Sequence, residues 1–217
     1  MYNKEIDRRM KGATYILLVI LTCFGSCGPA IYQSSNFDKK QRKIKIIAIL
    51  PFSVNIDMHH LPKGITPENI RNAEEKTGYD LQSSSYTWFL KRQDKYTTVF
   101  QDIDKTNAIL RKEKISYSDI ALQDKSKICK LLGVDAVISG RSSMSKPMTE
   151  IAAVAVGLIS GAWGPTNSIS NVLTIHDMKA KLLWKYDHNA SGSVLTSPDS
   201  LIKSLMKNAS RKFPFKK

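Results

Sequence analysis

Few residues in this chain have the types and spacing that chemistry needs. Asp102 and Asp104 offer two carboxylates, and His59 and His60 offer two imidazoles. General acid–base work requires carboxylates that oppose each other across a substrate. Two residues apart at the start of an amphipathic stretch, these aspartates are better placed to cap a helix N-terminus. Adjacent histidines diverge, and no Cys, Asp or Glu set at ligand spacing accompanies them, so no metal site is expected. Gly133 and Gly140 lie at a helix end and a strand end, without the spacing of a phosphate loop. There is no G-x-S-x-G, no H-E-x-x-H and no paired Cys motif. The expectation is a protein that is not an enzyme, with no catalytic residue and no cofactor.

The remaining reactive side chain is the thiol of Cys27. Lys4, Arg8, Arg9 and Lys11 precede an apolar run of ten residues at 13–22, and Gly25-Ser26 follow it directly before Cys27. A transmembrane helix needs about 20 apolar residues, so the run has instead the three-part pattern of an export signal. A Cys behind small residues resembles the lipobox of bacterial lipoproteins, where the signal is cut immediately before a Cys that carries lipid. Residues 1–26 are therefore expected to be a lipoprotein signal peptide, with Cys27 the lipidated first mature residue. Cys23, behind Ile20-Leu21-Thr22, is the rival attachment site, although Ser26 suits a signal peptidase better than Thr22. An uncleaved apolar anchor helix is the other alternative. Cys129 is then the one thiol left, and its place in a helical apolar stripe predicts burial.

The chain has 217 residues and a formal net charge of +14; the first 26 carry four basic and two acidic side chains, so the rest keeps +12. In a cytoplasmic protein such a balance would point to nucleic acid. Behind an export signal the available anions are lipid headgroups and wall polymers, so no nucleic-acid partner is expected and the charge reads as envelope affinity or a merely basic surface.

Residues 27–42 are polar and irregular and read as a flexible tether, with one α/β domain over 43–217. Residues 43–53 alternate with apolar side chains on both faces, the pattern of a covered central strand. Residues 54–65 read as a loop. Thr66-Pro67 starts a helical stretch to residue 93, either interrupted near Gly78 or split in two, burying Leu81, Ser85, Trp88 and Phe89. A short β-run at 97–100 precedes a helix to residue 112. A further helical stretch at 118–132 is closed by Gly133. Residues 134–140 form a buried strand, and two β-runs at 172–175 and 181–186 form a hairpin with a solvated face bearing lysines. Ser197-Pro198-Asp199 opens a last helix burying Leu201, Ile202, Leu205 and Met206. The basic, aromatic tail at 211–217 reads as a frayed terminus. This order predicts an α/β fold, with α+β the alternative, built as a two- or three-layer sandwich around a central mixed sheet.

Ile47-Ala48-Ile49-Leu50-Pro51-Phe52 behind a lipoprotein signal, Val99-Phe100-Gln101-Asp102 leading into Ile109-Leu110, and the run from Leu132-Gly133-Val134-Asp135 to Ser139-Gly140 together resemble the envelope lipoproteins related to CsgG. That group includes the curli secretion channel subunit, the penicillin-binding-protein activator LpoB and the amino-terminal domain of TolB. The resemblance implies a binding or assembly module rather than an enzyme. Envelope proteins are its implied partners, and its implied place is the bacterial outer membrane, facing the periplasm. The chain departs from that group at an apolar insertion at about 150–167. There Ala153, Gly157 and Gly161 recur at four-residue spacing and Trp163 closes the run. Three readings stay open: a segment folded over its own domain, self-association into a homo-oligomer, or membrane contact. The second would make the chain an oligomeric subunit of an outer-membrane secretion apparatus. The run lacks the alternation of a pore-forming β-hairpin.

Overall fold

The computed structural model describes residues 28–57, 64–145, 168–191 and 198–217. Cys23 and Cys27, the His59-His60 pair, Ser197 and the segment holding Ala153, Gly157, Gly161 and Trp163 lie outside the described residues.

Seven strands form one mixed sheet: β1 Ala30–Gln33, β2 Ile46–Ile49, β3 Ser53–Asp57, β4 Val99–Phe100, β5 Ala136–Ser145, β6 Ser168–Asp177 and β7 Leu182–Ser191. Their order is β1-β7-β6-β5-β2-β4, with β3 also paired to β5. Strands β2, β3 and β4 run parallel to their neighbours, whereas β5, β6, β7 and β1 pair antiparallel. The helices are α1 Phe37–Gln41, α2 Pro67–Leu90, α3 Ile103–Lys112, α4 Tyr117–Ile120, α5 Lys125–Leu132 and α6 Pro198–Lys212. The expected α/β architecture with a central mixed sheet is the one observed.

Local chemistry explains the boundaries. Thr66 starts α2 with a capping box, its hydroxyl taking the Asn69 N–H while the Asn69 side chain takes the Thr66 N–H. The helix then runs unbroken through Gly78 for 24 residues. Asp102 accepts the N–H groups of Asp104 and Lys105 at 2.8 and 3.2 Å and so caps α3. The expected helical stretch at 118–132 is divided, because Asp124 takes the Lys127 N–H and starts α5 afresh. Gly133 closes α5 with a φ of +66°, a conformation that costs a side chain energy.

β2 and β3 lie end to end along β5, separated by a bend at Pro51-Phe52. Two glycines make room for the bend. A Cβ on Gly140 would stand 2.2 Å from the Phe52 ring, and one on Gly78 would stand 2.4 Å from the Phe52 carbonyl. The Phe52 N–H donates to the Gly78 carbonyl at 3.1 Å.

The two faces of the sheet are covered unequally. On one, Ile47, Ile49, Phe52, Ile138, Leu173, Ile175 and Trp184 pack beneath α2 and α6. On the other, Ala48, Leu50 and Val137 pack beneath Leu110, Ile128, Cys129 and Leu132 from α3 and α5. That second layer stops near the middle of β5. Beyond it, positions of β3, β5, β6 and β7 on the same face, including Asn55, Ser143, Ser170 and Asn189, are half-buried or exposed. Among the described residues the sandwich therefore has three layers over one half of the sheet and two over the other.

Three expectations need correction. Residues 30–41, expected within a flexible tether, are built into the domain: β1 pairs with β7, and Phe37 is buried with its ring 4.9 Å from Phe215. Lys40 Nζ donates to Asp177 at 2.7 Å. Residues 54–57, expected as loop, belong to β3, where Val54 and Ile56 alternate with Asn55 and Asp57. The carboxy-terminal tail is not frayed. Phe213 and Phe215 are fully buried, and extended backbone bonds join Thr97 to Phe215 and Lys217 to Lys95. Phe213 sits among Phe89, Tyr96, Phe100 and Trp184 at ring separations of 4.8 to 6.2 Å.

Candidate functional site

A cleft of about 400 Å³ opens on the half-covered face, between the end of α4, the start of α5 and the bare part of the sheet. Its floor is the bend between β2 and β3. The Tyr117 hydroxyl fixes that bend by donating to the Phe52 carbonyl at 2.7 Å and accepting the Val54 N–H at 3.0 Å. Burial pushes this phenol up to about 12, so it stays protonated and keeps the donor.

Strand pairing places the wall residues. Ser139 of β5 stands opposite Thr174 of β6, which stands opposite Lys185 of β7. One step along, Ser53 of β3, Arg141 of β5 and Val172 of β6 form the next row. Paired side chains of this kind lie about 5 Å apart. His176, at the β6 irregularity, and Lys125, at the start of α5, complete the rim. None of the described lining residues is a carboxylate.

The charges are held in different ways. Lys125 Nζ donates to the carbonyls of Ile120, Gln123 and Ala121 at 3.0, 3.2 and 3.4 Å, which ties it to the end of α4. Burial lowers its pKa, with Asp124 opposing. Burial also lowers the His176 imidazole, helped by the Lys125 charge and opposed by Asp177. Lys185 pairs with Asp187 at 3.2 Å. Arg141 is exposed, and its guanidinium has no ion pair or hydrogen bond among the described residues. Ser139 Oγ and His176 Nδ1 are buried atoms without a hydrogen-bond partner among the described residues.

The residues singled out for chemistry lie elsewhere. Asp102 is engaged in its cap, as expected. Cys129 is fully buried, and burial pushes its thiol up to about 12, which makes it unreactive. Phe89 belongs to the core, whereas Trp88 lies half-buried between α2 and α6 with Lys91 Nζ 4.6 Å from its ring centre. Among the described residues no three His, Cys, Asp or Glu side chains converge on a point, and no helix is long and apolar enough to cross a membrane. The cleft was missed from sequence because its members come from five separate segments. The one local signal was the alternation of Ser139, Arg141 and Ser143 with buried positions along β5.

No family model matches the chain, and no curated protein does. Solved structures do. The lipoprotein GNA1162 from Neisseria meningitidis matches over 77% of this chain and 94% of its own, at 12% identity and a TM-score of 0.47. The PelC dodecamer from Paraburkholderia phytofirmans matches over 84% and 95%, at 12% identity and 0.45. The LpoB C-terminal domain from Salmonella enterica matches over 68% and 83%, at 9% identity and 0.35.

Proposed function

We propose that this chain is a lipid-anchored binding or assembly module of the bacterial cell envelope, an accessory factor rather than an enzyme. Cys27 carries the lipid and holds the domain facing the periplasm. The uncovered half of the sheet receives an envelope protein. The observation that carries this reading is the unequal covering of the sheet. A helical layer that stops at mid-sheet leaves a broad, rigid surface of short polar side chains, of the kind a macromolecular partner can cover. The export signal supplies the compartment.

Two experiments test the two parts. Metabolic labelling with a lipid analogue is expected to mark the wild-type protein and to fail in Cys27→Ala; unchanged labelling would remove Cys27 as the attachment site. Chemical crosslinking of the native protein in membranes is expected to recover a defined partner. Ser143→Trp with Asn189→Trp, which crowd the bare face, should lose that partner, whereas Lys203→Glu on α6 should keep it.

A second reading, an oligomeric subunit of an outer-membrane secretion apparatus, draws support from β1. This edge strand exposes Ile31 and Tyr32 at 45% and 51%, and an apolar strand edge invites pairing with another chain. Native mass measurement of the detergent-extracted protein decides it: a monomer would remove this reading, and an oligomer lost in Ile31→Lys would support it.

A further inference from the structure

From the arrangement of the cleft we infer that it holds a phosphoryl group, free or carried on a lipid headgroup, between Arg141, Lys185 and the Ser139 and Thr174 hydroxyls. The inference rests on the reading of this face as the binding surface and names the chemistry of what enters it. Strand pairing places Ser139 and Thr174 side by side at the centre, Lys185 next in the same row, and Arg141 two residues along β5 from Ser139. Lys125 and His176 close the end towards α5.

Arg141 and Lys185 around paired hydroxyls, with the Lys125 charge behind them and no carboxylate among the described lining residues, favour an anion with more than one charge and more than two acceptor oxygens. A phosphoryl group has both, whereas a carboxylate brings one charge and two oxygens. Arg141 is exposed with no partner for its guanidinium among the described residues, and that group can take two phosphoryl oxygens at once. Ser139 Oγ is buried at the cleft wall with no hydrogen-bond partner among the described residues. A buried, unpaired donor of this kind gains a full hydrogen bond when an oxyanion arrives. Lys185 already shares its charge with Asp187 at 3.2 Å, and it is free to divide its three donors between that carboxylate and the ligand.

A protein with a net charge of +14 attracts any anion weakly, so the test must separate the cleft from bulk charge. Isothermal titration of the full chain, in neutral detergent, with inorganic phosphate is expected to show saturable binding. Arg141→Gln with Lys185→Gln should weaken it about tenfold or more. A pair with the same charge loss on exposed α3 positions, Lys105→Gln with Lys112→Gln, should change it less than about twofold. Flotation with phosphatidylglycerol against phosphatidylcholine vesicles identifies the source. Phosphatidylglycerol binding that needs Arg141 and Lys185 assigns a headgroup, and saturable inorganic phosphate binding alone assigns a non-lipid phosphoryl ligand. The inference is overturned if neither probe depends on Arg141 and Lys185, or if both charge pairs lose equally. Unfolding temperatures matching the wild type would confirm that the variants are folded. If Arg141→Ser also leaves phosphate binding intact, the inference fails whatever the double variant does. A partner still crosslinked to the native protein when phosphate binding is absent would overturn the phosphoryl site and leave the binding-module reading in place.

Discussion

The two faces of the sheet are made from the same strands and differ in almost everything else. Beneath α2 and α6, alternate residues of β5, β6 and β7 are mostly apolar and buried, with Gly140 and the buried polar Ser142 and Asn171 among them, and an aromatic group from α2, β4, β7 and the carboxy terminus closes around Phe213. On the opposite side, beyond the buried Val137, the intervening residues are serines, Val172, Thr174, Asp187, Asn189 and the cations Arg141 and Lys185, and among the described residues the helical layer stops halfway. One face carries the stability of the domain. Beyond the cluster under α3 and α5, the other is free of that duty, and its side chains can be chosen for a ligand.

Substitutions on the two faces should therefore act on different quantities. The largest effect is expected from Phe213→Ala, which removes a fully buried ring touching several others and should cost about 3–5 kcal/mol in denaturant unfolding. A cost below about 1 kcal/mol would mean that the carboxy-terminal aromatic group is not part of the core. Gly140→Ala should follow. Its new methyl group meets the Phe52 ring at 2.2 Å, and forcing the bend apart should cost about 1–3 kcal/mol. Combining it with Phe52→Ala should recover much of that loss, because the clash partner is gone, and simple additivity would refute the contact.

A smaller effect joins the faces through pH. Burial holds the folded His176 below its ordinary value of 6.5. As pH falls through that value the unfolded chain takes up a proton that the folded chain still refuses. Stability present at neutral pH is therefore lost as pH drops through 6.5 and on to the folded pKa. In His176→Asn the unfolding temperature should fall less than in the wild type between about pH 7.5 and 5; equal falls would show that His176 is not held neutral by its surroundings. Smallest of all, Ser143→Ala on the bare face should change stability by less than about 0.5 kcal/mol. A larger loss would mean that this face is structural after all.

Much of the fold was legible because its signals are local. The doubled apolar faces at 46–49, the capping residues Thr66 and Asp102, and Gly133 at its left-handed position each act within a few residues of chain. The misread parts depend on distant partners. β3 has only Val54 and Ile56 as apolar positions, between a proline bend and residues 58–65 with their Pro and Gly, too short a period to stand out. β1 exposes all four of its side chains, so its pairing with β7 leaves no hydrophobic pattern. Phe213 and Phe215 sit among lysines and an arginine, and only the ring of aromatics brought together by α2, β4 and β7 reveals that they are core. For the cleft the obstacle is greater, since Lys125, Arg141, His176 and Lys185 meet only through cross-strand register and the start of α5.

The central claim is that this domain works through its bare sheet face, and site-specific photo-crosslinking in cells tests it most directly. A photoreactive residue at Asn189, on that face, is compared with one at Lys207, on the outer side of α6. The account predicts a discrete crosslinked envelope species from position 189 and none from position 207. Crosslinks from position 207 alone, or equal yields from both, would contradict it.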